Sequence, residues 1–266
     1  MIRRLLDLPN DDSRKIVFIA VSLCLVCSLM VSSAAVLLAP IQAAQQQENR
    51  RMNVLLAAGL IEEGEEDVQV NQLFQQIEAR IVNLDTGQFT DAVNPATFDP
   101  RAAKRDPNMS DEIPDDDDVA GLGRRERYAR VYILRDGDAI SRLVLPVRAY
   151  GLWSTMFAFI ALEGDLNTVA AINFYEHAET PGLGDEIEDP DWRALWAGRQ
   201  IFDAQGQPRL RVIRGRVDSA SPNAIHEVDG MAGATLTGNG VSNMIVFWFG
   251  ESGFGQFLDN LRTGGA

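Results

Sequence analysis

Tyr128-Ala129-Arg130-Val131-Tyr132-Ile133-Leu134 is followed by Asp136-Gly137 and then by Ile140-Ser141-Arg142-Leu143-Val144-Leu145-Pro146-Val147. Side chains on a strand point to alternate faces, and Asp-Gly is a tight hairpin turn, so this stretch predicts two antiparallel strands. Downstream, Leu152–Leu162, Thr168–Tyr175 and Leu210–Val217 read as further strands. Asp189-Pro190 opens a short helix over Trp192–Trp196, with the proline near the first turn. Val241–Phe249 reads as a helix stopped by Gly250, and Phe254–Leu261 as a last short one. The sum is an α+β fold, an antiparallel sheet with flanking helices.

Upstream, Val70, Leu73, Phe74, Ile77 and Ile81 fall on one face of a helix, closed by a turn at Asp85-Thr86-Gly87. An amphipathic helix is expected from Asn49 to about Leu60, ending at Gly59 or Gly64. Gln42–Glu48 reads as a polar stalk. Between Asn94 and Gly121 regular structure is not expected. Asp106–Asp118 holds seven acidic residues, no basic ones, and Pro107 and Pro114. Asp115-Asp116-Asp117-Asp118 lacks the spaced ligands and closing glutamate of a calcium loop, so a solvated surface loop is the better reading.

Ile16–Pro40 is a run of 25 residues without a charge, long enough to span a bilayer as a helix. Arg3, Arg4, Arg14 and Lys15 precede it, against Arg50 and Arg51 after it. That asymmetry puts residues 1–15 in the cytoplasm and the rest of the chain outside. A cleaved signal peptide is the competing reading, with Gln42-Ala43-Ala44 as its site, but the apolar run exceeds a typical signal core. Cys24 and Cys27 lie on one face of this helix and read as small packing residues, leaving the exported part without cysteine.

The chain has 38 acidic and 24 basic residues, a net charge of −14 that argues against nucleic acid as a partner. Two histidines and two cysteines form no zinc set of usual spacing, and no metal site is expected. Two glycine-bearing segments stand out. Glu176-His177-Ala178-Glu179-Thr180-Pro181-Gly182-Leu183-Gly184 reads as a tight loop after a strand, either a plain connection or a ligand loop with Leu183 as an apolar pad. Asp229-Gly230-Met231-Ala232-Gly233-Ala234-Thr235-Leu236-Thr237-Gly238-Asn239-Gly240 leaves the backbone open just before a helix, whose positive end suits a phosphate. It is no Walker loop, and Thr237 or Asn239 alone would read as a helix cap. Tyr150, Trp153 and Phe157 are candidates to cover a flat ring. From the residues alone the reading reaches a phosphate-bearing planar ligand on an exported domain.

Asp229-Gly230-Met231-Ala232-Gly233-Ala234-Thr235 resembles the flavinylation motif Asp-Gly-x-Ser/Thr-Gly-Ala-Thr, with Ala232 where serine or threonine is usual and Gly238 in place of a common serine. Cys24–Ser28, Asn53–Leu60, Tyr150–Met156, Phe174–Gly184 and Gly253–Leu258 are similar to the NqrC component of the Na⁺-translocating NADH:quinone reductases, with Ala149 for a usual glycine. The resemblance runs from the anchor to the C-terminus and is weakest across the acidic loop. It implies FMN attached through a phosphoester to Thr235, with Asp229 part of the signal read by a flavin transferase. Gly233 and Ala234 would make room for the phosphate and Thr237 would help neutralise it. Glu179, Thr180, Gly182, Leu183, Gly184, Trp153 and Ser154 would surround the ring. The implied role is electron relay within a membrane complex that oxidises NADH with ubiquinone and exports Na⁺, the NADH, quinone and sodium sites lying on other subunits. No catalytic residue is expected on this chain. The implied organisation is a cytoplasmic N-terminus (1–15), a transmembrane helix (16–40), a stalk, helical segment and acidic loop (41–121), and a periplasmic FMN-binding domain (122–266) on the inner membrane. The rivals are the RnfG component of Rnf-type electron-transport complexes, a non-redox anchored binding module and a secreted hydrolase.

Overall fold

The computed structural model describes residues 9, 12–62, 64 and 69–265. Arg3 and Arg4, on which the expected orientation partly rests, lie outside the described residues. The chain divides into two compact units, Met1–Arg50 and Arg51–Ala266.

The first helix, α1, runs unbroken from Ser13 to Ala58. It is the one described helix long and apolar enough to cross a membrane. Pro40 lies inside it, so the expected stalk at Gln42–Glu48 and the separate helix from Asn49 are one continuous element. Gln, Glu and Ala favour helix, and no glycine intervenes before Gly59. There the chain turns left-handed (φ 69°), with the Leu60 amide bonded to the Leu55 carbonyl at 3.0 Å and Gly59 to Leu56 at 3.1 Å. Those two bonds close the last turn on the expected glycine.

The second expected helix shrinks to α2, Val70–Phe74. Ile77 and Ile81 instead lie on strand β1, Ile77–Asn83. A spacing of four places residues on one face of a strand as well as of a helix, and seven residues of pairing decide it. After the turn at Asp85–Gly87 comes β2, Gln88–Phe89. The 94–121 region is also more regular than expected. It holds α3, Pro100–Arg105, capped by Asp99, and β3, Ser110–Glu112, which pairs with β4, Arg124–Glu126. Two of its acidic residues are drawn to the arginines just downstream: Asp111 accepts from Arg127 at 2.7 and 2.8 Å, and Glu112 from Arg124 at 2.9 Å.

The sheet continues with β5 (Tyr128–Asp136), β6 (Ala139–Tyr150), β7 (Thr155–Glu163) and β8 (Val169–Glu176). Its strand order is β2-β1-β5-β6-β7-β8, antiparallel throughout. Asp136 pairs with Ala139 across Gly137-Asp138, one residue beyond the expected turn. Next come α4 (Pro190–Ala194), with Asp189 capping it, and the two-residue parallel pair β9 (Arg211–Val212) and β10 (Glu227–Val228). The expected strand to Val217 is cut short because the chain bends at Gly215, φ 77°. The helices α5 (Thr235–Phe249) and α6 (Gly255–Thr263) complete the fold.

Alternation makes the sheet a filling between two layers. Val131, Ile133, Leu143, Leu145, Ala158 and Ile160 join Val241, Met244, Ile245 and Trp248 of α5 in the main core. Tyr132, Val144, Phe159 and Ala161 point the other way, onto Val54, Leu55, Ala57 and Ala58 at the end of α1. β1 and β2 thus belong to the same sheet as β5–β8.

Candidate functional site

Three segments far apart in sequence meet at one carboxylate. Glu179 is 5% exposed; it accepts from the backbone amides of Leu152 (3.0 Å) and Trp153 (3.0 Å) and from the Thr237 hydroxyl (2.5 Å). Burial pushes the Glu179 carboxyl up, but the bonds from Thr237, Trp153, Leu152 and Ser154 together outweigh it and hold it below the ordinary value. The glycines around it are there for space. A Cβ on Gly151 would lie 2.5 Å from Glu179 Oε1, and one on Gly184 would lie 2.7 Å from the Thr237 hydroxyl.

Leu152–Ser154, expected to start a strand, forms the connection between β6 and β7. The Ser154 hydroxyl accepts from the Ala178 amide at 2.8 Å, and the Trp153 indole donates to Thr180 Oγ1 at 2.9 Å. These bonds join that connection to the loop after β8. His177 is also part of this scaffold: Nδ1 accepts from the Glu179 amide at 3.1 Å, so Nε2 carries the proton toward Glu188, 2.8 Å away. Gly182 takes φ 75° in the turn that presents Leu183. A Cβ on Gly233 would meet Leu183 Cδ2 at 2.9 Å, so the two glycine-bearing segments touch.

Helix α5 starts at Thr235, earlier than expected, with Gly238 and Gly240 inside it. The reason is close packing: a Cβ on Gly240 would lie 2.5 Å from the Tyr150 carbonyl, and one on Gly238 3.2 Å from Val212 Cγ1. Neither Thr237 nor Asn239 is therefore a cap. Thr237, expected to neutralise a phosphate, is 1% exposed and its hydroxyl is committed to Glu179. Ala234 at the cap position brings no side chain to the first amides of the helix. Those amides and the positive end of the helix face a cavity of about 240 Å³ lined by Gly215, Gly230, Gly233, Ala234 and the exposed Thr235.

Asp229 shapes this cavity rather than charging it. Its carboxylate accepts from the Val217 amide at 2.8 Å, and its carbonyl accepts from the buried Trp192 indole at 2.9 Å. Beside it, a Cβ on Gly230 would strike the Ile213 carbonyl at 2.1 Å. Around the site apolar side chains stand in solvent: Trp153 is 63% exposed, Leu236 57% and Leu183 42%. Phe157, expected among the ring covers, instead packs at a tilt against Tyr175, 6.2 Å between centroids, and lies under the Arg101 guanidinium. Arg214, at the cavity wall, was not anticipated; its only signal was a cluster of arginines in a strongly acidic chain.

The residues fit a phosphate-bearing planar group: an uncapped helix start beside an exposed hydroxyl, a glycine cradle, and exposed apolar side chains next to it. The model of the FMN-binding domain family matches residues 151–249. The NqrC protein of the Na(+)-translocating NADH-quinone reductase of Pseudomonas aeruginosa is 47% identical over 97% of this chain and 99% of its own. That of Yersinia pestis is 45% identical over 96% and 95%. The crystal structure of Shewanella oneidensis NqrC superposes with a TM-score of 0.75 at 36% identity, covering 83% of this chain and 99% of that one. With likeness of this depth over almost its whole length, the chain belongs to the NqrC family of the Na(+)-translocating NADH-quinone reductases.

Proposed function

We propose that this chain is the electron-relay subunit of a membrane complex in which NADH oxidation by quinone is coupled to Na⁺ export, with FMN bound covalently to Thr235. The observation that carries the reading is the exposed Thr235 hydroxyl at an uncapped helix start, inside the Asp229–Thr235 segment and against the glycine-lined cavity. When bound, FMN supplies the electron-accepting and electron-donating chemistry. The chain's own residues do the holding. The first amides of α5 would face the phosphate, Gly233 would leave room beside it, and Leu183 and Trp153 would cover the ring and keep water off it. Thr180 orients the Trp153 indole, while Glu179 and Ser154 fix the loops that would surround the ring.

A flavin transferase reading Asp229 and its neighbours installs the group, and other subunits supply the NADH, quinone and sodium sites. Residues 16–40 cross the inner membrane with the N-terminus in the cytoplasm, and the flavin-bearing part is periplasmic. Identity to NqrC proteins along nearly the full length favours this family over RnfG. Mass spectrometry of the chain produced with a flavin transferase should find FMN mass on the Thr235 peptide and none in T235A. A wild-type chain without covalent flavin, or a T235A chain that keeps it, would sink the assignment and favour a non-redox binding module.

A further inference from the structure

Arg199, Arg209, Arg211, Arg214 and Arg216 cluster in a chain of net charge −14. Three of them have evident work. Arg199 donates to the carbonyls of Leu195 and Ala224, Arg211 pairs with Glu227 at 2.8 Å, and Arg209 faces Asp203 at 3.8 Å. Among the described residues, Arg214 and Arg216 make no hydrogen bond or ion pair. Arg214 differs from Arg216 in its position: it is the one charged residue among those lining the cavity that also holds Thr235.

The backbone on either side of Arg214 is pinned. The Ile213 amide donates to the Val228 carbonyl at 2.9 Å, the Gly230 amide to the Gly215 carbonyl at 2.8 Å, and the Val217 amide to the Asp229 carboxylate at 2.8 Å. The exposed Arg214 is thereby kept at the cavity wall, and no carboxylate lines that cavity to neutralise it. Two positive elements, the start of α5 and Arg214, border one small space. Such a space suits an anion with two free oxygens, and a guanidinium can pair with both.

We propose that Arg214 is the counter-ion of the phosphate carried on Thr235, a positioning residue that fixes the phosphodiester and the chain leading to the ring. The proposal rests on Thr235 being the attachment residue. It is tested by ³¹P NMR of the full-length, detergent-solubilised holoprotein. The phosphodiester resonance should shift in R214Q, return most of the way in R214K, and stay in place in R216Q. In the wild type it should also move between low and high chloride as the pair is screened. A resonance unchanged in R214Q, or moved equally by R216Q, overturns the pairing. Should R214Q take up no flavin, the chloride titration of the wild type decides: a moving resonance supports the pair and a stationary one overturns it. A wild-type chain with no phosphodiester resonance at all overturns the Thr235 reading itself, and the counter-ion with it.

Discussion

Glu179 shows how one side chain can organise a site by joining three segments of the chain. Its carboxylate takes bonds from two backbone amides and a buried hydroxyl, and a carboxamide would turn N–H donors toward at least one of them. E179Q should therefore cost about 1.5–3 kcal/mol, the range for hydrogen bonds to a charged group. The sign of its pH dependence follows from the lowered carboxyl. The stabilisation is complete above the unfolded pKa of about 4.3 and is lost as pH falls through the lower folded value. Melting temperatures of wild type and E179Q should thus converge as pH is taken from 6 to 3; parallel curves would contradict the assignment. At Gly184 the clash is with Thr237 Oγ1 at 2.7 Å and Glu179 Cβ at 2.9 Å, so G184A should lose about 1–3 kcal/mol in chemical denaturation.

At the scale of elements, the end of α1 behaves as core. Leu55 is fully buried against the sheet face that carries Val144 and Phe159. L55A should cost about 2–5 kcal/mol, whereas E48A, on the exposed part of the same helix, should stay within about 0.5 kcal/mol. Thermal melts in detergent distinguish the two. The hairpin β5–β6, the cap at Asp189-Pro190 and the stop at Gly59 were legible because each rests on local chemistry: alternation, a fixed φ, a left-handed glycine. Ile77 and Ile81 were misread because their spacing serves helix and strand alike, and only pairing with β5 chooses. The site was legible in part. The loop glycines and Thr235 announce a cradle, but Thr237 and Phe157 find partners, Glu179 and Tyr175, that lie 58 and 18 residues away and leave no local mark. Glycines 238 and 240 read as loop residues because close helix packing looks the same in sequence as a flexible turn.

For the molecule as a whole, the shifted carboxylates outside the membrane segment agree in direction. Glu78, Asp111, Asp165, Glu179 and Asp203 are all held below their ordinary values. Each favours the folded state above the unfolded carboxylate pKa of about 4 and loses that contribution as acid is added. Melting temperature should fall steeply below pH 4 and change little between pH 6 and 8. A melting temperature that stays flat down to pH 3 would refute this. Glu179 also bears on timing. Its bonds reach across 26, 27 and 58 residues of chain, so the cradle exists only after long loops have closed. A nascent or trapped chain displays Thr235 without its surroundings. If an enzyme recognises the finished cradle, the covalent mark becomes a certificate of completed folding. In a refolding time course, flavin acceptance should then rise together with the tryptophan fluorescence change and never ahead of it.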